Sequence, residues 1–526
     1  MNKVAFCAKM LGKYHYVYDM KLLGKIVFYC IIFGILAFLL VQLFFRAEYE
    51  DIKNTYFHSS ASVETQTDNS LTIVYSFGVE SLEPTLYDSA SRSRTLNVYE
   101  RLVATDRNLQ AKSGLALSWG RIDEITWEFK LRPDVVFHDG SSFDANDVKA
   151  SFDRAMQYER SGLKDILSTI DSVEVIDELT IHIVTKEPDP ILVNRAATVL
   201  IFPSDYTAFD TPVGTAPYRF VSQTESEFSV TRFDDYWGEK PYYKNVFIKA
   251  IENRFDRIDA MKNGQIDILA NVPPTLANEI VINQRATIAS LPSLEVNFLM
   301  FNYESSLLED KRIRRAISQA FDKDIFVDIS NGHATASNQF VSNGIFGFNP
   351  SIEDVGQDLS MAKRLIRQYD PFKKPSVTID MTQGTQAIGD YIKQQLDEVG
   401  LSVTINYLSF DRLRAKIFAK QSEMFYLGWR SEIGDASGFY ENVVYSEGRF
   451  NGGNFKNKKV DQLIELSTKN LDDQKRLQQF QEIMRIIVEE EIMGVPLFET
   501  DVIYGVKAGV HFSPRLDGYI LASELS

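Results

Sequence analysis

The feature that most constrains this chain is a run of 20 residues, from Ile26 to Phe45, in which Gln42 is the only strongly polar side chain. A helix that rises about 1.5 Å per residue carries such a run across about 30 Å, the thickness of a bilayer's hydrocarbon core. A helix in a soluble core would carry a polar face, and this run has none. We therefore predict a transmembrane helix over residues 22–45, preceded by a cytosolic tail, residues 1–21.

The charges that flank this run set its orientation. Five lysines and a single acid, Asp19, precede it, whereas the residues directly after it show no positive excess. The positive-inside rule then predicts a single-pass protein of the cytoplasmic membrane, with the body on the periplasmic or extracellular side. A cleaved signal peptide is the alternative, but the apolar run exceeds the usual length of about 7–15 residues. Residues 46–70 are polar and are expected to form a flexible linker.

The composition of the whole chain bounds what the body can do. Its 526 residues allow roughly two to four domains, and 44% hydrophobic with 24% charged residues is typical of a globular protein. The net charge of −16 argues against a nucleic-acid partner, which requires a basic surface. Both cysteines, Cys7 and Cys30, lie near the N-terminus. The body therefore has no disulfide framework, zinc knuckle or cysteine nucleophile.

Strand and helix signals alternate from Leu71 to the end of the chain. Apolar and polar residues alternate over residues 125–131, which predicts a strand with one wet face. Asp144 precedes an apolar helical face and is expected to cap that helix. Gly264 and Gly400 each follow an amphipathic segment and precede an apolar one, which predicts left-handed helix ends that lead into strands. The pattern predicts a multidomain α/β body.

Sequence motifs for catalysis or cofactor binding are missing. The chain has no phosphate-binding loop, dinucleotide-binding glycine turn, zinc-protease helix or serine elbow, so we expect neither enzyme activity nor a cofactor. The six histidines are scattered, and no metal site is expected. His138 beside Asp139 could act as a general base. The segment Phe137–Gly140 nevertheless has the composition of a turn, and a turn is what we predict.

Five sets of residues, taken together, identify a family. They are Trp127–Pro133 with Phe137–Gly140 and Asp144–Val148, then Pro212–Phe220, Asp235–Pro241, Ala260–Asp267 and Asp310–Ala316. In this order they resemble the motifs of the family-5 solute-binding proteins, the peptide-binding subunits of ATP-binding-cassette importers. Each motif is short, and the specificity of the resemblance lies in their succession along the chain.

The resemblance implies an α/β fold of the periplasmic-binding-protein type, with two lobes and an extra third domain. The first lobe is expected to combine residues 71–112, 196–296 and 488–526. The extra domain is expected over residues 113–195 and the second lobe over residues 297–487. The chain then crosses between the lobes twice, and the crossings form the hinge.

The resemblance also implies where the ligand binds. The segment Leu427–Asp435 is similar to the family segment that lines the peptide cleft. There, an aspartate three positions after a tryptophan pairs with the ligand's α-amino group, and here that position is Glu432. Trp429 is expected to provide an aromatic wall. The backbone of Gly428 and Arg430 is expected to pair with an extended peptide as an added strand does.

The resemblance places further ligand contacts on the opposite lobe, at Asp88, Ser89 and Ala90. Asp435 matches an acid of the family's cleft segment and is included among the expected ligand contacts. The arginines that bind the carboxylate of dipeptides in some members have no evident counterpart in Asp380–Thr385. A free dipeptide is therefore not the expected ligand.

Together these observations predict a membrane-tethered solute-binding protein that captures peptides or similar extended solutes for an ATP-binding-cassette importer. The expected partners are that solute and the permease complex in the cytoplasmic membrane, and the protein is expected to be a monomer. Two alternatives stay open, namely a sensor or interaction protein that kept the fold without transport, and a hydrolase. A permease gene beside this one would favour transport.

Overall fold

The computed structural model describes residues 69–79, 81–431 and 433–526. The predicted cytosolic tail, transmembrane helix and nearly all of the linker lie outside these ranges. Within them, no helix is both long and apolar enough to cross a membrane. Contacts tie Asn69–Ser526 into one unit.

The strands of the described residues are β1 (Ser70–Tyr75), β2 (Val103–Thr105), β3 (Ala111–Ser113), β4 (Ala116–Arg121), β5 (Thr126–Leu131), β6 (Ile170–Asp177), β7 (Thr180–Thr185), β8 (Tyr218–Gln223), β9 (Glu227–Arg232), β10 (Asn245–Ala250), β11 (Ile268–Leu269), β12 (Ala286–Phe301), β13 (Ala334–Ala336), β14 (Ser376–Thr382), β15 (Ser402–Leu408), β16 (Met424–Arg430) and β17 (Gly494–Lys507).

The α-helices are α1 (Ser89–Thr95), α2 (Ala145–Gln157), α3 (Leu192–Ala196), α4 (Arg254–Lys262), α5 (Ala277–Ile280), α6 (Lys311–Ser318), α7 (Asp324–Ile329), α8 (Leu359–Tyr369), α9 (Gln386–Val399), α10 (Phe410–Phe418), α11 (Ser437–Phe439), α12 (Lys458–Ser467) and α13 (Asp473–Arg485). Wider π-type turns continue α11 over Tyr440–Val444 and α13 over Ile486–Glu490.

One large mixed sheet runs through most of the body, in the order β15, β14, β16, β12, β17, β11, β1, β10, β9, β8, with β13 paired to β17. We call the part built on β1 and β8–β11 the first lobe, and the part built on β13–β16 the second lobe. The segment after α1 and the C-terminal segment pack into the first lobe, because Val98 and Ile520 share its buried core with Leu71 and Tyr218.

The two long strands β12 and β17 join the lobes. They pair antiparallel with each other, while β17 also pairs with β11 of the first lobe and β12 with β16 of the second. The register of β12 shifts between Pro292 and Val296 and again between Asn297 and Phe298. Such bulges bend a strand. The shifts lie beside the first predicted crossing, near residue 296, although the predicted domain boundaries themselves stay a prediction.

A separate antiparallel sheet, in the order β4, β5, β7, β6, lies entirely within the range predicted for the extra domain. Its inner face packs with α2 around a core that includes Phe129, Phe152 and Ile181. Asp144 caps α2 as predicted, and the carboxylate of Asp147 accepts a hydrogen bond from the Asp144 backbone N–H at 2.8 Å. This reciprocal cap satisfies two backbone donors at the start of the helix.

The predicted helix ends are confirmed at both glycines. Gly264 follows α4 with a φ of +72°, and Gly400 follows α9 with a φ of +108°. A residue with a Cβ atom is strained in this region, so glycine ends each helix without cost. Each helix then leads into the predicted strand, β11 or β15, and α9 brings its apolar side onto the sheet of the second lobe.

Candidate functional site in the cleft

A cavity lies where segments of both lobes face each other. It comprises about 640 Å³ of space, open solvent included. Arg92, Arg101 and Asp517 line it from the side of the first lobe. Arg430 and Ile433 line it from the second lobe, at the end of β16 and in the loop that follows. The cavity therefore takes its walls from both sides of a cleft.

Two hydrogen bonds join the sides of this cleft next to the cavity. The Asn194 side-chain amide on α3 donates to the carbonyl oxygen of Ile433 at 2.9 Å. Arg430 Nη2 donates to the carbonyl oxygen of Leu516 at 3.3 Å. Both acceptors are main-chain atoms, so these contacts depend on how close the two sides are rather than on a matched pair of side chains.

Two ion pairs join the sides farther from the cavity. Arg449 lies 3.0 Å from Asp165, and Lys469 lies 2.5 Å from Glu187. All four side chains are at least 47% exposed. Exposed pairs of this kind are worth about 1 kcal/mol or less, because water screens the charges and long side chains lose freedom.

Arg92 and Arg430 line the cavity, and each has at least one side-chain donor that no described residue accepts from. Arg92 is only 2% exposed, and its Nη2 donates to the carbonyl oxygen of Thr198 at 2.6 Å. Within the described residues, Arg92 Nε and Nη1 and Arg430 Nε are buried and have no hydrogen-bond acceptor. A buried donor without an acceptor costs free energy, and a charged one costs more.

Arg101 adds a third guanidinium to the lining. Its Nη2 donates to the Thr105 hydroxyl at 3.1 Å, and its Nη1 lies 3.5 Å from the carbonyl oxygen of Ala197. Burial lowers the pKa of Arg101 to about 10; nearby Asp517 opposes this shift, whereas the positive charges of Arg92 and Arg515 add to it. Like charges that lie close together disfavour the charged form of each arginine.

The acid in the lining does not balance these arginines. Among the described residues that line the cavity, Asp517 is the only acid. Its carboxylate accepts from Arg515 Nε at 3.0 Å and from Arg515 Nη2 at 2.7 Å. On the other side, Glu295 lies opposite Arg430 in the register of β12 and β16. Burial raises the pKa of Glu295, and the charge of Arg430 opposes that shift. The cavity therefore carries a surplus of positive charge.

The end of β16 holds three predicted site residues. Strand β14 pairs with β16 only at Met424 and Phe425, so the later part of this edge has no strand partner among the described residues. Gly428 lies on that part, and a Cβ atom there would come 2.4 Å from the Glu295 carboxylate. Trp429 is half-buried, and its ring packs edge-on against two phenylalanine rings rather than lining the cavity.

The remaining predicted site residues differ in what the structure gives them. Asp88 caps α1, accepting from the Ser91 backbone N–H at 2.8 Å, and Ser89 and Ala90 form the first turn of that helix. Glu432 lies outside the described residues. The ligand contacts predicted for these four positions stay predictions.

Asp435 is already bound within the second lobe. Its carboxylate accepts from Arg476 Nη1 at 2.7 Å and Nη2 at 2.8 Å, and from the Ser437 backbone N–H at 2.9 Å. Both side chains of the pair are at most 5% exposed. Because both oxygens are occupied, the geometry supports a structural role for Asp435, and its predicted ligand contact stays untested.

His138 lies in a turn, as predicted, and joins two of the sequence motifs. Its Nε2 lies 2.8 Å from the carbonyl oxygen of Ala216, and its Nδ1 accepts from the Gly214 backbone N–H at 3.3 Å. A carbonyl only accepts and an amide only donates, so the ring is neutral with its proton on Nε2. Burial lowers the pKa of His138 to about 4, in keeping with this neutral form.

No group of three or more metal-ligating side chains lies close together anywhere in the described part of the chain. This holds for histidine, cysteine, aspartate and glutamate side chains. The cleft itself presents arginine side chains and main-chain groups as hydrogen-bonding partners.

The family model described as bacterial extracellular solute-binding proteins, family 5 middle, matches residues 110–451. Curated relatives include the glutathione-binding protein GsiB of Pectobacterium atrosepticum, 25% identical over 410 residues, which cover 73% of this chain and 80% of the relative. GsiB of Escherichia coli K12 is 24% identical over 429 residues, which cover 77% and 83%.

Solved structures share the fold. The substrate-binding protein CtaP of Listeria monocytogenes has a TM-score of 0.79 at 20% identity, covering 87% of this chain and 99% of that one. The periplasmic binding protein DppA of Helicobacter pylori, in complex with the peptide STSA, has a TM-score of 0.71 at 22% identity, covering 88% and 98%. These likenesses confirm the predicted α/β fold of the periplasmic-binding-protein type. The chain belongs to the family-5 bacterial extracellular solute-binding proteins.

Proposed function

We propose that the chain captures short peptides or related solutes, such as glutathione, in the cavity between its lobes and delivers them to an ATP-binding-cassette permease. The observation that carries this proposal is the cavity whose lining comes from both lobes. Relatives that are named glutathione-binding proteins and a neighbour that holds the peptide STSA support this class of solute.

The unpaired edge of β16 supports binding of an extended main chain. A peptide that lies along this edge would use the backbone of Gly428 and Arg430, which selects for peptide geometry and not for particular side chains. Glu432 would accept from the peptide's amino group. The first turn of α1, at Asp88, Ser89 and Ala90, would contact the peptide from the other lobe.

The proposal includes attachment of a monomer to the outer side of the cytoplasmic membrane by the apolar run at residues 22–45. Its support is the length of that run and the lysines that precede it. Mass spectrometry of the native N-terminus tests this part. An intact start supports the anchor, and a mature start between residues 46 and 70 contradicts it.

Binding is tested by thermal unfolding of the full chain with the peptide Ser-Thr-Ser-Ala and, separately, with reduced glutathione. A ligand at 100 times its Kd adds about 2.7 kcal/mol to the free energy of unfolding. Small-angle scattering should show compaction with the same ligand. If neither compound stabilises the protein, the proposal is contradicted. If the peptide is shortened during incubation, the hydrolase alternative is favoured.

A further inference from the structure

We infer that the cleft contains a subsite for an anionic group of the solute, a carboxylate or a phosphate, formed by Arg92 and Arg101 on one side and Arg430 on the other. This inference rests on the proposed function, because it names the chemistry of the solute that the same cavity takes. The sequence predicts a carboxylate, Glu432, and no arginine side chain at the ligand.

The unused donors are the first argument. Arg92 is held in place by Thr198 and by the ring of Tyr87, whose centroid lies 4.9 Å from the guanidinium carbon. Its Nε and Nη1 have no acceptor within the described residues, and neither has Nε of Arg430. Each unused N–H donor on a guanidinium held in this way can give a charge-assisted hydrogen bond to an oxygen of a carboxylate or phosphate.

The charge balance is the second argument. Arg515 pairs with Asp517 and also donates to Glu524 at 2.8 Å, so these three groups satisfy one another. Glu295 is the acid nearest to Arg430 in the strand pairing, and burial favours its neutral form. Apart from Asp517, which is bound to Arg515, the described residues of the lining include no acid, and an anion between Arg92 and Arg101 would relieve the repulsion between their charges.

The placement of the three arginines is the third argument. Arg92 and Arg101 belong to the first lobe, and Arg430 ends a strand of the second. An anion that contacts both sides is bound only when the lobes are together. Its binding energy would therefore favour the closed arrangement, in which Arg430 already reaches the carbonyl oxygen of Leu516.

The test compares three probes by isothermal titration calorimetry on the full chain: Ser-Thr-Ser-Ala as the free acid, the same peptide as its C-terminal amide, and inorganic phosphate. For the wild type we expect the acid to bind roughly 10-fold to 100-fold more tightly than the amide. Arg430→Gln and Arg101→Gln should each reduce this ratio to less than about threefold, because the affinity for the acid falls more than the affinity for the amide.

The matched control is Arg414→Gln, which removes an arginine on α10 that is 56% exposed and 3.7 Å from Asp411. It should keep the wild-type ratio. Arg430→Lys keeps the charge without the planar fork and should recover part of the preference. Thermal unfolding of every variant without ligand shows whether the fold is retained, and Arg101→Gln provides an independent variant if Arg430→Gln is unstable.

Equal affinity for acid and amide in the wild type, with no arginine-dependent binding of phosphate, overturns the anionic subsite and leaves the proposed peptide function standing. If neither peptide form binds but phosphate binds to the wild type and not to Arg101→Gln, the subsite stands and the peptide function fails. If no probe binds, both are wrong. Preference for the acid peptide over phosphate identifies the group as a carboxylate, and the reverse identifies it as a phosphate.

Discussion

Two buried arginines in this protein have the same exposure and opposite surroundings. Arg476 and Arg92 are each 2% exposed. Arg476 donates to both oxygens of Asp435 and, through Nε, to the carbonyl oxygen of Ser467 at 3.2 Å. Among the described residues, Arg92 donates one hydrogen bond, to the carbonyl oxygen of Thr198. Burial of a charge costs free energy unless the charge is paired. A buried arginine with a structural role is therefore expected to have its hydrogen-bond acceptors within the protein.

The difference teaches where ligand chemistry is to be sought in a binding protein. The arginine of the second lobe lies between the rings of Phe346 and Phe480, 4.9 and 4.5 Å from their centroids, and completes a core. The arginine of the cleft lines a cavity and keeps donors that no described residue uses. The acceptors of Arg476 belong to the protein. For Arg92, we infer that the bound solute supplies the remaining acceptor.

The largest effect is expected from breaking the closed pair. Asp435→Ala leaves Arg476 charged and buried without its partner, which should lower the free energy of unfolding by about 3–5 kcal/mol. Urea unfolding followed by circular dichroism measures it. Asp411→Ala removes an acid that is 88% exposed and should have almost no effect. A loss below about 1 kcal/mol for Asp435→Ala would contradict the structural role.

The neutral His138 makes stability depend on pH. Its pKa of about 4 lies below the ordinary 6.5. As the pH falls from 6.5 to 4, His138 is therefore protonated in the unfolded chain but stays neutral in the folded protein. Stability is therefore full above pH 6.5 and is lost toward pH 4, by up to about 3 kcal/mol. Urea unfolding between pH 4 and 7 measures this loss. His138→Gln should remove it, and identical pH profiles for variant and wild type would refute the assignment.

Replacing each arginine by methionine sharpens the comparison. Arg476→Met strands Asp435 and should destabilise the protein by about 3–5 kcal/mol. Arg92→Met removes a charge with one hydrogen bond and should change the free energy of unfolding by no more than about 1 kcal/mol. Both are measured by urea unfolding without ligand. Equal losses in the two variants would mean that Arg92 is as fully paired as Arg476.

The smallest effect is expected at the outer contacts of the cleft. Arg449→Gln removes an exposed ion pair with Asp165 and should change stability by less than about 1 kcal/mol. The residual effect should vanish in about 1 M salt, because salt screens exposed charges. Thermal unfolding at low and high salt provides the measurement. A larger effect that persists in salt would show that this pair helps to hold the lobes together.

The sequence predicted most accurately the features that depend on a few neighbouring residues, such as the ends of helices. Asp144 and Gly400 end or begin helices through local hydrogen bonds and dihedral angles, and both are confirmed. β17, by contrast, continues as far as Lys507. Its partner there is β12, about 200 residues earlier in the chain. Pairing over such a distance leaves no trace in a local pattern.

One segment that the family resemblance singled out lines the cavity, and the ligand contacts predicted there stay predictions. The family resemblance pointed to the end of β16, and Arg430 there does line the cavity. The sequence did not point to Arg92 and Arg101 as residues of the cavity. Whether an arginine has an acceptor for each donor depends on residues that only the fold brings close to it. The acceptor of Arg92 is 106 residues away in the chain. Conversely, Asp435 matched a pattern, and its partner Arg476 comes 41 residues later.

The most direct test of the central claim measures how much one ligand stabilises two proteins that are equally stable without it. Unfolding of wild type and Arg92→Met is followed with and without Ser-Thr-Ser-Ala as the free acid, at 100 times the wild-type Kd. The account predicts a gain of about 2.7 kcal/mol for the wild type and a gain smaller by at least about 1.3 kcal/mol for Arg92→Met, as a tenfold loss of affinity requires. An equal gain in both proteins would contradict it.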